Sequence, residues 1–368
     1  MTKPIRWGIL GAGNIARAFA EGLKALPDAE LTAVASRTQA TGREFAKQIN
    51  VRKVYTGYNE LVRDPNVDVI YVATPHQRHF DDCTLVLEAG KPVLCEKPFT
   101  VNAKQARALV DLARRKDLFL MEAMWMRCMP LIRKVKELVD SGAIGDIRML
   151  TAEFSVPTHY DPQNRFFDPK QGGGALLDRG VYTLALASLL MGEPVGISGE
   201  AAIGPTGVDE QSAMVLRYAG GRMAVLSAGM RTYSSNSAAV MGTRGRIVLH
   251  EPFYAPQRIS ISTFGEPQPA SKAAPSIKQK MTGGIKKNPL VRRAMPVLRQ
   301  YLLPLLRKSS DISQPLVGNG YNYEAAEVMR CLRAGERESP MVPLNESVRV
   351  MEQMDTLRAA WGLKYPGE

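Results

Sequence analysis

Through its first 125 residues the chain alternates short, almost wholly apolar runs with longer stretches whose apolar positions recur every three to four residues. The runs Ile5–Leu10, Leu31–Ser36, Asp68–Thr74, Pro92–Cys95 and Leu118–Ala123 predict strands. The periodic stretches Asn14–Leu26, Gln39–Asn50, Gln77–Ala89 and Ala103–Lys116 predict the helices between them. Asn102 stands where an N-cap belongs, with Gln105 three residues on as its partner. Strands apolar on both faces and separated by helices form a parallel sheet covered on both sides. The first half therefore reads as a doubly wound α/β layer of the Rossmann type.

After Met149 the rhythm changes. Ser212–Tyr218 and Arg222–Met230 flank Gly220–Gly221, a hairpin signal, and Ala238–Met241 and Arg246–His250 flank a second turn at Thr243–Gly245. Two closing helices, Asn322–Ala334 and Glu346–Trp361, are each followed by glycine. The second half reads as α+β with a large, mostly antiparallel, open-faced sheet. The expected division is residues 1–125 for the Rossmann domain and 126–368 for a substrate-binding and dimerisation domain. The final helix is free to pack back on the first domain.

Composition narrows the class. A hydrophobic share of 45% with 23% charged residues suits a soluble globular chain of two domains. Arg6, Asn14 and Arg17 interrupt the early apolar run, against a signal peptide, and no apolar segment is expected to reach membrane-spanning length. Four scattered cysteines without a CxxC pair fit free thiols in a reducing cytoplasm, the expected location, and no metal cluster is read. The net charge of +12 belongs to one segment: ten Lys and Arg and no acid lie between Ser271 and Ser310, so the rest carries only +2. Nucleic acid is therefore not an expected partner.

Candidate chemistry begins at Gly11-Ala12-Gly13-Asn14-Ile15-Ala16, a GxGxxA fingerprint between the first strand and the first helix. Gly11 permits the tight turn, Gly13 lets the backbone approach a pyrophosphate, and the amides near Asn14 and Ile15 face it. An NAD site usually carries an acid at the end of the second strand, for the ribose 2′-hydroxyl. Here Ser36-Arg37 stands there, with no acid before Glu44. Ser36 can donate to a 2′-phosphate and Arg37 can pair with it, so NADP(H) is expected over NAD. Read alone, Arg37 is also compatible with a solvated surface residue.

Two further elements stand out. Cys95-Glu96-Lys97-Pro98 lies at the C-terminal end of a predicted strand, where open α/β sheets bind ligands. Gly172-Gly173-Gly174 lets the backbone pass close to something, and a helix starting near Asp178 sets Asp178 and Tyr182 on one face. By themselves these residues do not show catalysis; a buried helix tyrosine is the ordinary reading of Tyr182.

Together with Thr74-Pro75-His76, Met121–Trp125, Gly172–Tyr182, Gly207–Glu210 and Trp361–Pro366, these motifs resemble the Gfo/Idh/MocA oxidoreductases over nearly the whole chain. Tyrosine at 182, where most of that family has histidine, is similar to the branch of dimeric dihydrodiol dehydrogenases and NADP-dependent D-xylose dehydrogenases. The resemblance implies Tyr182 as acid/base, Lys97 assisting it, and Asp178 touching substrate or orienting the acid/base. It also implies Thr74, Pro75, His76, His79, Glu96 and Lys97 beside the cofactor, and a homodimer or higher homo-oligomer. The expected activity moves a hydride between a CH–OH group of a sugar or diol and nicotinamide. A free phenol ionises near 10, and a neighbouring ammonium is expected to pull Tyr182 below that value. His79 is the next candidate should Tyr182 not fill the role. Trp125, Arg127, Arg148, Phe154 and Arg165 flank the expected interdomain cleft as substrate contacts, an aromatic wall with guanidinium groups suiting a sugar.

Two other functions share this scaffold: a glycoside hydrolase cycling tightly held NAD, and a non-enzymatic NADP-binding regulator. The segment 270–316 departs from the family pattern as a basic insertion. Within it, basic and apolar residues interleave over 285–308, which suggests weak peripheral membrane contact, while Pro289, Pro296 and Pro304 work against one continuous helix. A solvated loop or an oligomer contact stays open there.

Overall fold

The computed structural model describes residues 3–264, 308–366 and 368. In chain order the first layer holds β1 (Ile5–Leu10), α1 (Asn14–Leu23), β2 (Ala29–Ser36), α2 (Gln39–Ile49), β3 (Lys53–Thr56), α3 (Asn59–Val62) and β4 (Val69–Val72). It continues with α4 (His79–Glu88), β5 (Val93–Glu96), α5 (Ala103–Lys116) and β6 (Leu120–Ala123). Its strands run parallel in the order β3-β2-β1-β4-β5-β6, the doubly wound arrangement that opens a crevice at the C-terminal ends of β1 and β4. β4, β5 and β6 are buried at every position because helices cover both faces. Asn102 caps α5 by accepting from Gln105 N at 2.9 Å. Phe19, on α1, is wholly buried against Tyr71, stacked at 3.8 Å, and edge-on to Trp7 at 5.2 Å.

The second layer holds α6 (Pro130–Asp140), β7 (Ile147–Ser155), α7 (Val181–Met191), β8 (Gly196–Ile203), β9 (Asp209–Arg217), β10 (Met223–Gly229), β11 (Ala238–Gly242), β12 (Gly245–Leu249), β13 (Arg258–Thr263) and β14 (Lys308–Ser313). These strands form one sheet of eight, ordered β14-β13-β12-β11-β7-β10-β9-β8 and antiparallel except where β7 and β10 run parallel. α7 lies on one face. The other is partly open: β10 alternates exposed Met223 and Val225 with buried Ala224 and Leu226. Two helices close the chain, α8 (Tyr321–Ala334) and α9 (Leu344–Trp361).

Those last helices return to the first layer. Asn319 donates to Ala18 O on α1 at 2.7 Å, Arg333 pairs with Asp28 at 2.7 Å, and Leu120 N of the edge strand β6 donates to Arg337 O at 3.1 Å. On α9, Asp355 accepts from Ala103 N at 2.8 Å and Arg358 donates to Val101 O at 3.0 Å.

Two expectations change. The segment Pro169–Met191 does reach membrane-spanning length and mean hydropathy, but 94% of its most apolar window is buried inside the protein. α7 is apolar all round because it is a core helix, packed between the sheet and its helical neighbours. Within the segment expected as a basic insertion, residues 308–313 form a strand, β14, that pairs with β13. Residues 270–307, which carry the membrane-contact reading, lie outside the described residues.

Phe19→Ala empties the site between Trp7 and Tyr71 and is expected to cost about 3–5 kcal/mol, read as a shift in the urea unfolding midpoint.

Candidate active site

The crevice at the ends of β1 and β4 widens into a cavity of about 740 Å³. Gly11 makes the turn from β1 at φ +100°, and a Cβ there would sit 2.6 Å from Ala73 O, so only glycine fits. Gly13 is the N-cap of α1 without a side-chain cap, and a Cβ on it would meet nothing within 4 Å. The first amides of α1 therefore face open space, as an anion needs. The hydroxyl of Thr74, buried without a partner, lies in the same lining. These donors fit a dinucleotide pyrophosphate. All twelve residues assigned to the cofactor line this cavity: Gly11, Gly13, Asn14, Ile15, Ser36, Arg37, Thr74, Pro75, His76, His79, Glu96 and Lys97. Thr38, Thr41, Tyr58 and Phe166, which sequence reasoning did not single out, line it too.

Ser36 departs from its expected part. It is buried, and its hydroxyl donates to Thr38 O at 2.5 Å, so its proton is committed to the turn. Arg37 is exposed beside Thr38, which caps α2 by accepting from Thr41 N at 3.3 Å. No carboxylate lines this end of the cavity.

At the other end, β5 delivers Glu96 and Lys97 into the cleft, with the Lys97–Pro98 bond cis. From the second layer, the glycine loop at 172–174 feeds a π-helical turn, Leu176–Gly180, that runs straight into α7. Such wide turns recur at functional sites, and this one carries Asp178. Lys97 Nζ donates to Asp178 O at 3.0 Å and to Asp178 Oδ1 at 3.3 Å, and stands 4.9 Å over the Tyr182 ring. Trp125 Nε1 donates to the Tyr182 hydroxyl at 2.8 Å. Lys97, Asp178, Tyr182 and Trp125 thus converge at the wall between the layers.

Charge and burial compete at each of these groups. Burial opposes the Asp178 carboxylate, but Lys97, Arg165 and Arg179 outweigh it and hold the carboxyl below its ordinary range. For Tyr182 burial wins and pushes the phenol well above 10, with the Trp125 N–H working against it. The expectation that Lys97 brings this phenol below its free value is not met: burial outweighs the charges around it, and Tyr182 is a neutral hydroxyl. Burial raises Glu96 to about 7, opposed by Lys97; Tyr71 hydrogen-bonds one of its oxygens and Lys97 N donates to the other at 3.0 Å.

Burial, followed by Arg165, lowers His76 to about 3, so it is neutral; Nδ1 faces Gly172 O at 3.0 Å, and Arg165 lies 3.5 Å from Nε2. His79 is also lowered by burial, and its two ring nitrogens face Pro98 O at 2.8 Å and Thr74 O at 2.9 Å. A neutral ring donates to only one of these carbonyls, so His79, wholly buried, ties the cofactor loop through a single hydrogen bond.

The aromatic wall is real but differently composed. Phe154 stacks on Tyr254 at 4.6 Å and stands edge-on to Tyr182 at 5.5 Å; Trp125 stacks on Tyr321 at 4.7 Å. Tyr254 and Tyr321 were not read from the sequence: Tyr254 lies in the connection after β12 and Tyr321 opens α8, both far downstream and without a motif of their own. Arg165 reaches the site, 3.7 Å from Asp178 Oδ1, whereas Arg127 and Arg148 do not. Arg127 is buried in a 2.6 Å ion pair with Glu346, which also accepts from Ser188 at 3.2 Å. Arg148 points away from the cleft and donates to Gly220 O at 3.1 Å. Both lie near cleft residues in sequence, but their side chains leave in other directions. Arg179 was passed over inside a quoted motif; it anchors the turn by donating to Val156 O, Gly229 O and Thr158 Oγ1.

A dinucleotide cleft on a doubly wound sheet, with a lysine at the end of β5 meeting an aspartate and a tyrosine of the second layer, is the arrangement of a nicotinamide-dependent oxidoreductase. Residues 5–124 match the oxidoreductase family described by its NAD-binding Rossmann fold, and 132–248 match the GFO/IDH/MocA C-terminal domain. The chain belongs to the Gfo/Idh/MocA oxidoreductase family. It is 36% identical to trans-1,2-dihydrobenzene-1,2-diol dehydrogenase of Mus musculus and 34% identical to that of Homo sapiens, each match covering 98% of both chains. Among solved structures it is similar to KijD10, a 3-ketoreductase from Actinomadura kijaniata in complex with NADP and TDP-benzene, at 27% identity and TM-score 0.76 over 97% of this chain and 98% of that one. Levoglucosan dehydrogenase in complex with NADH and levoglucosan shares the fold, at TM-score 0.80 and 19% identity over 98% of each chain.

Glu346→Ala strands the buried Arg127 charge and is expected to cost about 3 kcal/mol of unfolding free energy while leaving nicotinamide-cofactor affinity unchanged, read by denaturation and fluorescence titration.

Proposed function

We propose that the protein transfers a hydride between a CH–OH carbon of a small sugar or diol and the nicotinamide of NADP(H), with Tyr182 as acid/base and Lys97 assisting. The observation that carries this reading is the convergence of Lys97, Asp178 and Tyr182 at the end of β5, where the dinucleotide cleft meets the second layer. The α1 amides and Thr74 would hold the pyrophosphate, and the nicotinamide, when bound, takes or supplies the hydride. Exposed Arg37 offers a 2′-phosphate its guanidinium, the Thr38–Thr41 hydroxyl pair, bonded to each other at 2.9 Å, offers one further proton, and no carboxylate among the described residues opposes them.

Tyr182 holds the proton that the chemistry needs. As a neutral phenol it is set to donate to a developing alkoxide in reduction; in oxidation it must receive the substrate hydroxyl proton. Lys97 over the ring and the Trp125 N–H at its oxygen stabilise the phenolate whenever it forms. Asp178, kept ionised, holds Lys97 in place. Phe154, Trp125, Tyr254 and Tyr321 offer ring faces for the C–H face of a substrate, and Arg165 a donor for its hydroxyls. Relatives named for a diol, and solved structures named for a ketoreductase and for a sugar dehydrogenase, support this substrate class.

Tyr182→Phe is expected to lower kcat about a hundredfold or more while NADPH still binds, measured by absorbance and by fluorescence titration. Oxidation should accelerate as pH rises and reduction should not, because the raised phenol must lose its proton only for the former. Arg37→Ala should lower kcat/KM for NADPH about tenfold and leave NADH unaffected; a wild-type preference for NAD would sink the cofactor assignment.

A further inference from the structure

Two motifs singled out in the sequence, Gly207–Glu210 and Trp361–Pro366, lie outside the cofactor cavity. Both end on the same stretch of chain, the glycine loop that feeds the π-turn. Asp209, the first residue of β9, is fully buried, and its Oδ2 accepts from Leu176 N at 2.7 Å. Leu176 opens the π-turn, which has no capping side chain of its own, so Asp209 satisfies an amide that would otherwise be orphaned. Tyr365, also buried, donates from its hydroxyl to Gly173 O at 2.5 Å. Between these contacts Gly174 takes φ +115°, and a Cβ on it would strike Asp209 Oδ1 and lie 3.1 Å from the Tyr365 hydroxyl. The two side chains and the loop leave no room for a methyl group.

Tyr365 is itself held. Its amide donates to Glu368 Oε2 at 3.0 Å, and the Arg358 guanidinium stands 4.9 Å over its ring. Arg358 pairs with Glu368 at 2.7 Å and donates to Val101 O at 3.0 Å, in the first layer. A buried chain of contacts thus runs from the α5 end of the Rossmann layer to the glycine loop of the second.

We infer that Asp209 and Tyr365 are positioning residues: they fix the glycine loop and the π-turn so that Asp178 and Tyr182 stand against Lys97. The inference rests on the reading of Tyr182 as acid/base. Neither residue touches the cleft, yet a small displacement of the turn moves both reacting side chains at once, and rate is steeply sensitive to such displacement. Burial raises the Asp209 carboxyl to about 7, opposed by the Leu176 and Asp209 amides and then by Arg358; the Tyr365 phenol is the other titratable group beside it. Ionisation strengthens the single bond to the Leu176 amide but costs more in burial than that bond returns, so the loop is held more firmly below that pH than above it.

The test compares wild type, Tyr365→Phe, Asp209→Asn and Tyr182→Phe for kcat, NADPH Kd and Tm between about pH 6 and 9. Tyr365→Phe is expected to lower kcat about tenfold with NADPH Kd within about twofold of wild type and Tm little changed. The ratio of wild-type to Asp209→Asn kcat, in which any Glu96 titration cancels, should fall as pH passes through about 7, because asparagine stays neutral there. An inactive Tyr182→Phe beside fully active Tyr365→Phe and Asp209→Asn at every pH overturns this inference alone. An active Tyr182→Phe overturns the acid/base reading and this inference with it. Parallel falls in kcat, NADPH affinity and Tm in both variants also overturn it, since they mark general destabilisation.

Discussion

The Lys97 ammonium joins the two layers at the point where the chemistry is placed. It stands at the end of a strand of the parallel sheet and spends its hydrogen bonds on the main chain and carboxylate of Asp178, in the second layer. A charge so little exposed needs compensation, and Asp178 provides it; Asp178 in turn keeps its own charge only because three cations surround it. Remove the ammonium and the aspartate loses its first support, the π-turn loses its tie to β5, and the face of Tyr182 loses its cation. Cofactor cleft and aromatic wall are both arranged around this one contact.

The site also sorts its protons by environment. Burial acts on Asp178, His76, Glu96 and Tyr182, which lie close together, in the direction of neutrality. Only Asp178 has enough positive charge near it to resist. His76 and Tyr182 are neutral, and Glu96 is raised to about 7 beneath them. The result is a pocket with a fixed ion pair and a protonated phenol side by side, which suits delivery of a proton more readily than its removal.

Much of this was legible in the sequence. The apolar strands of the first layer follow from periodicity; the glycine fingerprint led to Gly11, Gly13, Asn14 and Ile15, the missing acid after the second strand to Ser36 and Arg37, and the family resemblance to Thr74, Pro75, His76, His79, Glu96 and Lys97. What escaped has physical reasons. β3 is four residues long and half exposed at the sheet edge, too short for a pattern. β8 is exposed or half exposed along its whole length, so it offers no alternation between a wet face and a dry one. Proximity along the chain misled for Arg127 and Arg148, because adjacent residues point in different directions. Tyr254 and Tyr321 reach the site only through the closure of the whole fold. Ser36 lines the cavity as expected while its hydroxyl bonds the turn it belongs to, a local partner that position along the chain does not reveal.

The return of residues 319–368 to the first layer has a consequence for how the molecule comes together. Strands and helices formed early in the chain bury part of their surface only against helices more than two hundred positions later, as Ala103 does with Asp355 and Leu120 with Arg337. Such contacts close very long loops, which slows assembly but couples its parts. The layers do not meet as two finished bodies across a hinge. They share one contiguous apolar core, and the clasp at the end of the chain makes the free energy of each depend on the other. A lesion in α8 or α9 would then be felt at the nucleotide-binding end, far from where it was made.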